Sequence, residues 1–290
     1  MIVHLPVMVR EVVEMLAIRP EGTYVDATVG LGGHAEEILR QLGPEGRFVG
    51  MDRDDEALKM AGQRLGNHRV VLKKSAFSGL KRALISLGVH EVDGILFDFG
   101  VSMMQFKDPE RGFSFSAGEL LEMRMDRSQK MTAEEIVNDY PQSELERIVR
   151  EYGEERHARK IARAIIAART RTRIRTCSGL AEIVRAVCRA GGRHHPATRT
   201  FQALRIAVNN EIREIDEGLK SSVGLLRRGG RLCAISYHSL EDRLVKHMMR
   251  DSAREGVLSA VTKKPLTPSR EEIRNNPSAR SAKMRCAERT

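Results

Sequence analysis

The chain has 290 residues, which at about 150 residues per domain allows two domains or one large one. Hydrophobic residues make up 41% of it, enough for a sizeable core, so disordered and fibrous classes are excluded. Lysine and arginine total 49 against 39 aspartates and glutamates, and this net charge of +10 suggests a polyanionic partner.

The cysteines and the first residues bear on location. Cys177, Cys188, Cys233 and Cys286 form no C-x-x-C pair, and the histidines give no zinc-like spacing with them. We therefore expect reduced thiols, no metal and a cytoplasmic protein. No basic segment followed by an apolar one opens the chain, and no apolar run approaches the roughly 18 residues of a membrane span, so neither a secretory signal nor a membrane partner is expected.

The first part of the chain alternates strands and helices. Apolar residues at helical spacing predict a helix after Pro6, and residues 23–28 form a predicted strand that ends in a glycine cluster. A helix then runs to the break at Gly43-Pro44. The next predicted elements are strand 47–52, helix 54–65, strand 69–72 and strand 94–98. This alternation indicates βαβ units and a mostly parallel sheet.

The alternation stops at residue 105, and helical spacing dominates as far as residue 205. One long helix is predicted from Leu204 to Leu226, ending at Gly229-Gly230, and a fifth strand follows it. The remaining strand predictions are 231–236 and two short candidates near 257–262 and 283–288. The sequence thus predicts an α/β domain, formed by 1–104 and 206–290, with a helical insertion over 105–205 after the fourth strand.

The positive charge is unevenly distributed. Residues 1–104 carry a net charge of −2, whereas 105–205 and 206–290 each carry +6. Within the insertion, residues 156–205 hold 13 basic residues and one acidic residue, Glu182. A solvated helix face is one explanation, but the near-absence of acidic residues favours an anionic ligand.

The glycine cluster fits a nucleotide-binding loop. Gly30 to Ala35 match G-x-G-x-x-A between a strand and a helix, a pattern that nicotinamide dinucleotide folds share. Asp52 ends the second strand, where a carboxylate accepts hydrogen bonds from ribose hydroxyls of either cofactor. Asp26 ends the first strand and suits the cationic amino group of S-adenosylmethionine, whereas it would repel a pyrophosphate. Asp26 therefore favours S-adenosylmethionine over NAD.

Asp98-Phe99-Gly100 spells the magnesium motif of protein kinases, but the H-R-D catalytic loop and the lysine-bearing strand of a kinase are absent. As the end of the fourth strand, Asp98 is instead expected at the crevice where doubly wound sheets bind ligands. Turn chemistry alone accounts for any single aspartate of this kind. Three of them at three strand ends favour a binding site.

With these residues, the chain closely resembles the bacterial 16S ribosomal RNA cytosine-N4 methyltransferases, the RsmH or MraW family. The similarity covers nearly the whole length. Its motifs are residues 4–8 (HLPVM), 28–34 (TVGLGGH), 93–102 (DGILFDFGVS), 111–115 (RGFSF), 123–126 (MRMD), 152–156 (YGEER), 195–206 (HPATRTFQALRI), 236–243 (SYHSLEDR) and 276–281 (NPSARS).

The resemblance implies a class I S-adenosylmethionine-dependent methyltransferase of Rossmann-like α/β fold, whose helical insertion recognises the substrate. The implied reaction is methylation of the N4 amino group of cytosine 1402 in 16S ribosomal RNA of the 30S subunit. The family pattern assigns the cofactor contacts to Gly32, Gly33, His34, Asp52, Phe77, Asp98 and Gln105. Tyr237 departs from that pattern, in which a phenylalanine is usual.

Two side chains are candidates for the proton acceptor. Asp98, or a backbone carbonyl of Phe99 or Gly100, lies nearest to the expected site. His238 follows the fifth strand at the same sheet edge, and a structural role at a helix start is equally open for it.

For the RNA, the low-acid segment offers two groups of cations. Arg156, Arg159, Lys160 and Arg163 share one helix surface, and Arg169, Arg171, Arg173 and Arg175 alternate beyond it. Such residues track a phosphate backbone without reading sequence. Phe106, Phe113 and Phe115 are candidates to stack an unpaired base, or else they anchor the insertion by packing.

Two rival classes of protein remain. A nicotinamide oxidoreductase would share the glycine loop but bind NAD rather than S-adenosylmethionine. A non-catalytic RNA-binding scaffold would keep the basic segment, but it would have no need for the glycine loop or for Asp26 and Asp52.

Overall fold

The protein is described by a computed structural model over residues 6–66, 70–115, 118–188 and 195–290. Its internal contacts divide the chain into two compact units. Met1–Gly100 together with Ile212–Thr290 forms the first, here called the sheet unit, and Val101–Glu211 forms the second, the helical unit.

Among the described residues, seven strands form one sheet in the order β3-β2-β1-β4-β5-β7-β6. The strands are β1 (Thr23–Asp26), β2 (Arg47–Asp52), β3 (Val70–Lys74), β4 (Val92–Asp98), β5 (Leu226–Ser236), β6 (Leu258–Ala260) and β7 (Lys283–Arg289). Pairing is parallel from β3 through to β5, and β7 runs antiparallel to both of its neighbours. The expected mostly parallel α/β sheet of a class I methyltransferase is therefore present.

Thirteen helices are present in the described part of the chain. They are α1 (Val9–Leu16), α2 (Gly33–Gln41), α3 (Asp55–Leu65), α4 (Leu80–Ser86), α5 (Met103–Lys107), α6 (Ala133–Asp139), α7 (Gln142–Glu151), α8 (Ala158–Arg169), α9 (Cys177–Val187), α10 (Thr198–Asn209), α11 (Glu211–Val223), α12 (Ser239–Arg254) and α13 (Arg270–Asn275). Short 3₁₀ turns cover Phe77–Gly79 and Pro277–Ser281.

Both faces of the central strands are apolar, because helices cover the sheet on each side. Successive side chains of a strand point to opposite faces. On β4, Ile95 and Phe97 belong to one buried cluster and Leu96 to the other. This explains why the central strands appear in the sequence as continuous apolar runs rather than as alternating patterns.

The helical unit has a core of its own, built from the apolar faces of its helices. Ile136, Leu145, Ile161, Leu180 and Leu204, one from each of α6 to α10, are buried in a single cluster. Helix α6 is fixed at its start by a capping box, in which Thr132 and Glu135 each bond the other's backbone N–H. The side chains that give this segment its helical periodicity are therefore the ones that hold it together.

The single long helix predicted from Leu204 to Leu226 is wrong. Asn210 adopts a left-handed conformation with φ of 51° and separates α10 from α11. Asparagine tolerates that region better than most residues, and a one-residue break hardly disturbs apolar spacing. Leu226 also fits the helical spacing, but it pairs with Val92 as the first residue of β5. Gly229-Gly230 consequently lies within the strand rather than at a helix end.

The other predicted elements agree with the structure to within a few residues. The third strand was expected from Arg69, which lies outside the described residues, as do His4 and Leu5 of the first family motif. Within the described ranges, no helix combines the length and the apolar character needed to cross a membrane.

Candidate functional site

Three aspartates lie at the carboxyl ends of neighbouring strands. Asp26, Asp52 and Asp98 are the last residues of β1, β2 and β4, and β1 pairs with both of the other strands. Since these strands are parallel, the three carboxyl groups share one edge of the sheet. That edge is where open α/β sheets bind their ligands.

The glycine loop follows β1 at the same edge. Gly30 and Gly32 have positive φ of 49° and 79°, which L side chains rarely adopt. A Cβ at Gly33 would lie 2.9 Å from the ring of Pro6, so a larger residue has no room there. Gly32 precedes α2, whose first turn offers backbone N–H groups to a ligand. The loop therefore provides both a close approach and hydrogen-bond donors.

Asp26 is buried, with only 1% of the residue exposed. Its Oδ1 accepts hydrogen bonds from the N–H and the hydroxyl of Thr28, at 2.9 and 3.1 Å. Its Oδ2 has no hydrogen-bond partner among the described residues. A buried carboxylate oxygen without a partner is costly, and a ligand cation would satisfy it. The S-adenosylmethionine amino group, which the sequence matches to Asp26, has that chemistry.

Thr28 links the ends of β1 and β4. Its hydroxyl donates to Asp26 and accepts the N–H of Asp98 at 2.7 Å. The sequence patterns did not single out Thr28, although a hydroxyl two residues after a strand-end aspartate is a recognisable turn signal. Thr28 thus ties the carboxylate of Asp26 to the backbone at the end of β4.

Asp52 orders the glycine loop from the neighbouring strand. Its Oδ2 accepts the N–H of Gly30 at 3.0 Å, and its Oδ1 accepts the N–H of Asp54 at 3.0 Å. A carboxylate has about four lone-pair sites, so Asp52 can still accept a ligand hydroxyl beside these backbone donors. The geometry is compatible with the ribose contact predicted for Asp52.

Asp98 differs from Asp26 in being open to a ligand, since 20% of its side chain is exposed. The Tyr237 hydroxyl donates a hydrogen bond to its Oδ1 at 2.8 Å. Its Oδ2 lies 3.8 Å from Nδ1 of His34, which is too far for a hydrogen bond. Among the described residues, Oδ2 receives no hydrogen bond.

Burial raises the pKa of all three carboxyl groups. The pKa rises to about 6 for Asp26, to about 6 for Asp52 and to about 7 for Asp98, because desolvation penalises their charged forms. Hydrogen bonds from Thr28, Gly30 and Tyr237 oppose this rise without cancelling it. A cation bound at this edge would therefore stabilise the ionised forms of the carboxyl groups and lower their pKa values.

His34 is buried at the start of α2. Its Nε2 lies 2.8 Å from the carbonyl oxygen of Val7 and bonds to it as a donor. Burial lowers the pKa of His34, so the ring is neutral and makes no ion pair with Asp98. The structure thus shows the packing role at the helix start, and the predicted cofactor contact of His34 stays a prediction.

Phe77 forms an aromatic cluster behind the same edge. Its ring meets those of Phe97 and Phe99 edge-on, with centroids 5.5 and 5.7 Å away. Gly218 of α11 makes room for it, since a Cβ there would lie 2.6 Å from the Cβ of Phe77. Phe77 is only partly buried, which leaves ring surface available to a ligand. No sequence pattern indicated the contact with Gly218.

Gln105, the remaining predicted cofactor contact, belongs to the helical unit. It forms the capping box of α5 with Ser102, whose N–H donates to Gln105 Oε1 at 3.1 Å. The residue is buried, with 4% exposed. This capping accounts for its burial, and its cofactor contact remains a prediction.

His238 caps α12. Its Nδ1 accepts the N–H of Glu241 at 3.5 Å, and its Nε2 lies 3.0 Å from Glu241 Oε1. Glu241 Oε2 in turn accepts the N–H groups of Tyr237 and His238. Both ring nitrogens of His238 therefore face Glu241. This is the structural role left open by the sequence, so Asp98 is the stronger candidate for the proton acceptor.

The four arginines predicted to bind RNA fall into two pairs. Arg169 donates to the carbonyl oxygens of Val137 and Tyr140, and Arg173 forms ion pairs with Glu134 and Asp139. Arg171 and Arg175 are exposed and form no ion pair with a described residue. The same is true of three cations on α8: Arg159, Lys160 and Arg163. These five cations are therefore available to an anion.

The three phenylalanines of the insertion also differ from one another. Phe113 is buried in the core of the helical unit, and Phe115 stacks on His195 and meets Phe201 edge-on. Both therefore pack within the helical unit. Phe106 lies on α5 and is 50% exposed, so it retains a free face for stacking.

Comparison with known proteins identifies the family of the chain. The chain matches the MraW methylase family over residues 1–290. It is 49% identical to the ribosomal RNA small subunit methyltransferase H of Persephonella marina and 48% to that of Sulfurihydrogenibium sp., with 100% of each chain covered. The protein of that name from Caldicellulosiruptor bescii is 46% identical, with 99% of each chain covered.

A crystal structure of an rRNA methylase from Streptococcus thermophilus aligns with 12% identity, a TM-score of 0.47 and coverage of 100% of this chain and 99% of that one. Because this identity and this TM-score are low, no conclusion is drawn from the structural similarity. From the full-length match and these identities we conclude that the chain belongs to the MraW methylase family.

Proposed function

We propose that the protein transfers a methyl group from S-adenosylmethionine to the N4 amino group of one cytosine in 16S ribosomal RNA, cytosine 1402 by family resemblance, within the 30S subunit. The observation that carries the proposal is the strand-end edge, where a glycine loop adjoins three carboxyl groups. The named relatives at 46% to 49% identity support small-subunit ribosomal RNA as the substrate.

The side chains of this edge fit S-adenosylmethionine. Asp26 Oδ2 is buried with no hydrogen-bond partner in the described ranges, and it suits the amino group of the methionine portion. Asp52 accepts ribose hydroxyls, Gly32 and Gly33 allow close approach, and Phe77 is a partly buried aromatic residue that can pack against the adenine. When bound, the cofactor supplies an electrophilic methyl group on a positively charged sulfur.

The amino group of cytosine is a poor nucleophile, because its lone pair is delocalised into the ring. The protein must therefore hold that nitrogen in line with the methyl group and accept the proton that it loses. The Asp98 side chain is partly exposed, and its Oδ2 receives no hydrogen bond from described residues, so Oδ2 is our candidate for the acceptor. Base selection requires an unstacked nucleotide to reach this edge.

We further propose that the RNA phosphates contact the five available cations of the helical unit, namely Arg159, Lys160, Arg163, Arg171 and Arg175. They lie in the segment that has one acidic residue among 50 positions. Arg169 and Arg173 are left out of this surface, since their guanidinium groups are engaged by groups of the protein itself.

The deciding experiment is methyl transfer from labelled S-adenosylmethionine to undermethylated 30S subunits, followed by mapping of the modified nucleotide. We expect the label on the N4 nitrogen of one cytosine. Label on another base, or on a ring carbon, would contradict the proposed chemistry. Binding of NAD in preference to S-adenosylmethionine, measured by thermal shift, would favour an oxidoreductase instead.

A further inference from the structure

Tyr237 lies beside the candidate proton acceptor at the carboxyl end of β5. Strands β4 and β5 are parallel, with Asp98 in register with Ile235, so the residue just beyond β5 reaches the end of β4. The Tyr237 hydroxyl donates to Asp98 Oδ1 at 2.8 Å, and its backbone N–H donates to Glu241 Oε2 at 2.7 Å. Glu241 is fully buried, so the tyrosine is held firmly at both its backbone and its ring.

This contact distinguishes the two oxygens of Asp98. Oδ1 is occupied by the hydroxyl, whereas Oδ2 receives no hydrogen bond from the described part of the chain. The hydroxyl thereby restrains the rotation of the carboxyl group and leaves Oδ2 as the oxygen without a donor among the described residues. A planar carboxylate fixed at one oxygen presents the other in one direction, which is the geometry that a proton acceptor requires.

We propose that Tyr237 is a positioning residue for methyl transfer: its hydroxyl orients Asp98 and stabilises the ionised carboxylate that accepts the amino proton. This inference rests on the proposed function. As the bond between N4 and the methyl carbon forms, the bond between sulfur and that carbon breaks and its electron pair stays on sulfur. The proton of the amino group passes to Asp98 Oδ2, which leaves a neutral methylated amine.

The charged and titratable groups around Asp98 determine how much its ionised form depends on the hydrogen bond from the Tyr237 hydroxyl. Those that face Asp98 or its tyrosine partner are Asp26 of β1, neutral His34 of α2, Glu241 of α12 and Glu272 of α13. None of them is a cation that would stabilise a carboxylate. Burial and Asp98 itself raise the pKa of Tyr237 well above its usual value, so the phenol stays a donor while Asp98 titrates.

The direction in which removal of the Tyr237 hydroxyl changes the pKa of Asp98 can therefore be predicted. A hydrogen bond to the charged form lowers a pKa, so its loss must raise the pKa of Asp98 above about 7. With one charge-assisted hydrogen bond lost, the acidic limb of the pH–rate profile should move to higher pH by about one unit.

The test compares Y237F with the wild-type protein in single-turnover methyl transfer to 30S subunits at saturating cofactor. We expect the rate of Y237F to be about tenfold lower near pH 6 and to approach the wild-type rate at high pH. The affinity for S-adenosylmethionine at high pH should be unchanged. Carboxyl ¹³C NMR of the protein without cofactor should show the Asp98 signal titrating at higher pH in the variant.

Y24F is the matched control. Tyr24 is also a buried tyrosine with a hydrogen-bonded hydroxyl, which accepts the N–H of Arg19 at 2.8 Å, but it lies toward the opposite end of the sheet. Its pH–rate profile should coincide with that of the wild type. In the D98N background, where the proton acceptor is gone, Y237F should cause no further loss of the residual rate.

The outcomes separate the two proposals. If Y237F and the wild type have coincident pH–rate profiles and the same Asp98 titration, the role of Tyr237 is refuted while the proposed function stands. If the wild type transfers no methyl group to 30S subunits, the proposed function fails. The NMR titration then decides by itself whether Tyr237 controls the ionisation of Asp98.

Discussion

At the scale of single residues, the site is defined by carboxyl groups held where ionisation is costly. Asp26, Asp52 and Asp98 have a pKa raised to about 6, 6 and 7 by burial, from a usual value of 3.8. The sequence predicted all three as binding-site residues because each ends a predicted strand. It did not identify Thr28 or Tyr237, since their hydroxyl groups matter only because β1, β4 and β5 lie side by side.

The raised pKa of Asp98 predicts how stability depends on pH. The folded protein binds a proton that the unfolded chain has already released, so the free energy of unfolding should fall as pH rises from about 4 to about 7. Asp98→Asn removes this loss. Between pH 4 and pH 8 the free energy of unfolding of the ligand-free variant should therefore fall less than that of the wild type, by up to about 4 kcal/mol.

Urea unfolding of both proteins at the two pH values measures the effect. Asp251→Asn is the control, because Asp251 is exposed on α12 and its ion pairs lower rather than raise its pKa. An equal pH dependence in the wild type and Asp98→Asn would show that Asp98 has an ordinary pKa in the folded protein.

Asp26 gives a second prediction at this scale. Asp26→Asn keeps the shape of the side chain and one acceptor oxygen but removes the charge. If Oδ2 meets the amino group of the cofactor, affinity for S-adenosylmethionine should fall by roughly tenfold or more, the value expected of a charge-assisted hydrogen bond. Calorimetric titration measures this, with Asp251→Asn again as the control. Unchanged affinity would remove Asp26 from the proposed cofactor site.

At the scale of elements, the register of the strands brings the site together, and helix packing shapes it. Helix α11 packs its Gly218 against Phe77, and Ser78 donates to Glu214 of the same helix at 2.9 Å. Apolar spacing merged α10 and α11 into one predicted helix because it contains no signal for a single left-handed residue. The contact between α11 and Phe77 could not be predicted either, since 141 positions separate the two residues.

This packing predicts the effect of enlarging Gly218. In an exposed helix, changing glycine to alanine adds stability, but Gly218→Ala would place a Cβ 2.6 Å from Phe77. We expect a loss of about 1–3 kcal/mol in unfolding free energy and weaker binding of S-adenosylmethionine as Phe77 shifts. Gly224→Ala is the matched control, because a Cβ at that position would meet no described atom within 4 Å.

Thermal unfolding and cofactor titration of the two variants test this. The control should lie within about 0.5 kcal/mol of the wild type. If Gly218→Ala has wild-type stability and affinity, α11 shifts at little cost in free energy and does not hold Phe77 in place.

At the scale of the whole molecule, the net charge differs between the segment with the proposed cofactor site and the segment with the proposed RNA surface. Residues 1–104 carry a net charge of −2 and hold the strand-end carboxylates suited to a cationic donor, whereas residues 156–205 carry +12. The structure refines this contrast, because it shows which cations are engaged by the protein and which are available. Net charge alone could not separate Arg173, which is ion-paired, from Arg171 and Arg175.

Charge reversal tests the RNA surface. The double variant R171E/R175E should weaken binding to 30S subunits on the order of tenfold. The slope of the logarithm of the binding constant against the logarithm of the salt concentration should become shallower by roughly one for each residue changed. The control K263E/K264E makes the same change in net charge at two exposed lysines of the sheet unit that form no ion pair with described residues. Equal losses in the two variants would indicate a general effect of charge and refute the proposed surface.

The sequence by itself determined the fold class, the strand-end carboxylates and the family, because these depend on local spacing and on long motifs. Only the tertiary structure decided which polar groups are satisfied. It left Asp26 Oδ2 without a partner in the part of the chain that the structure describes, and it joined Tyr237 to Asp98. It also engaged His238 with Glu241 and separated the bound arginines from the available ones. The physical reason is that hydrogen bonds and desolvation depend on groups distant in the chain, whose proximity is set by strand register and packing.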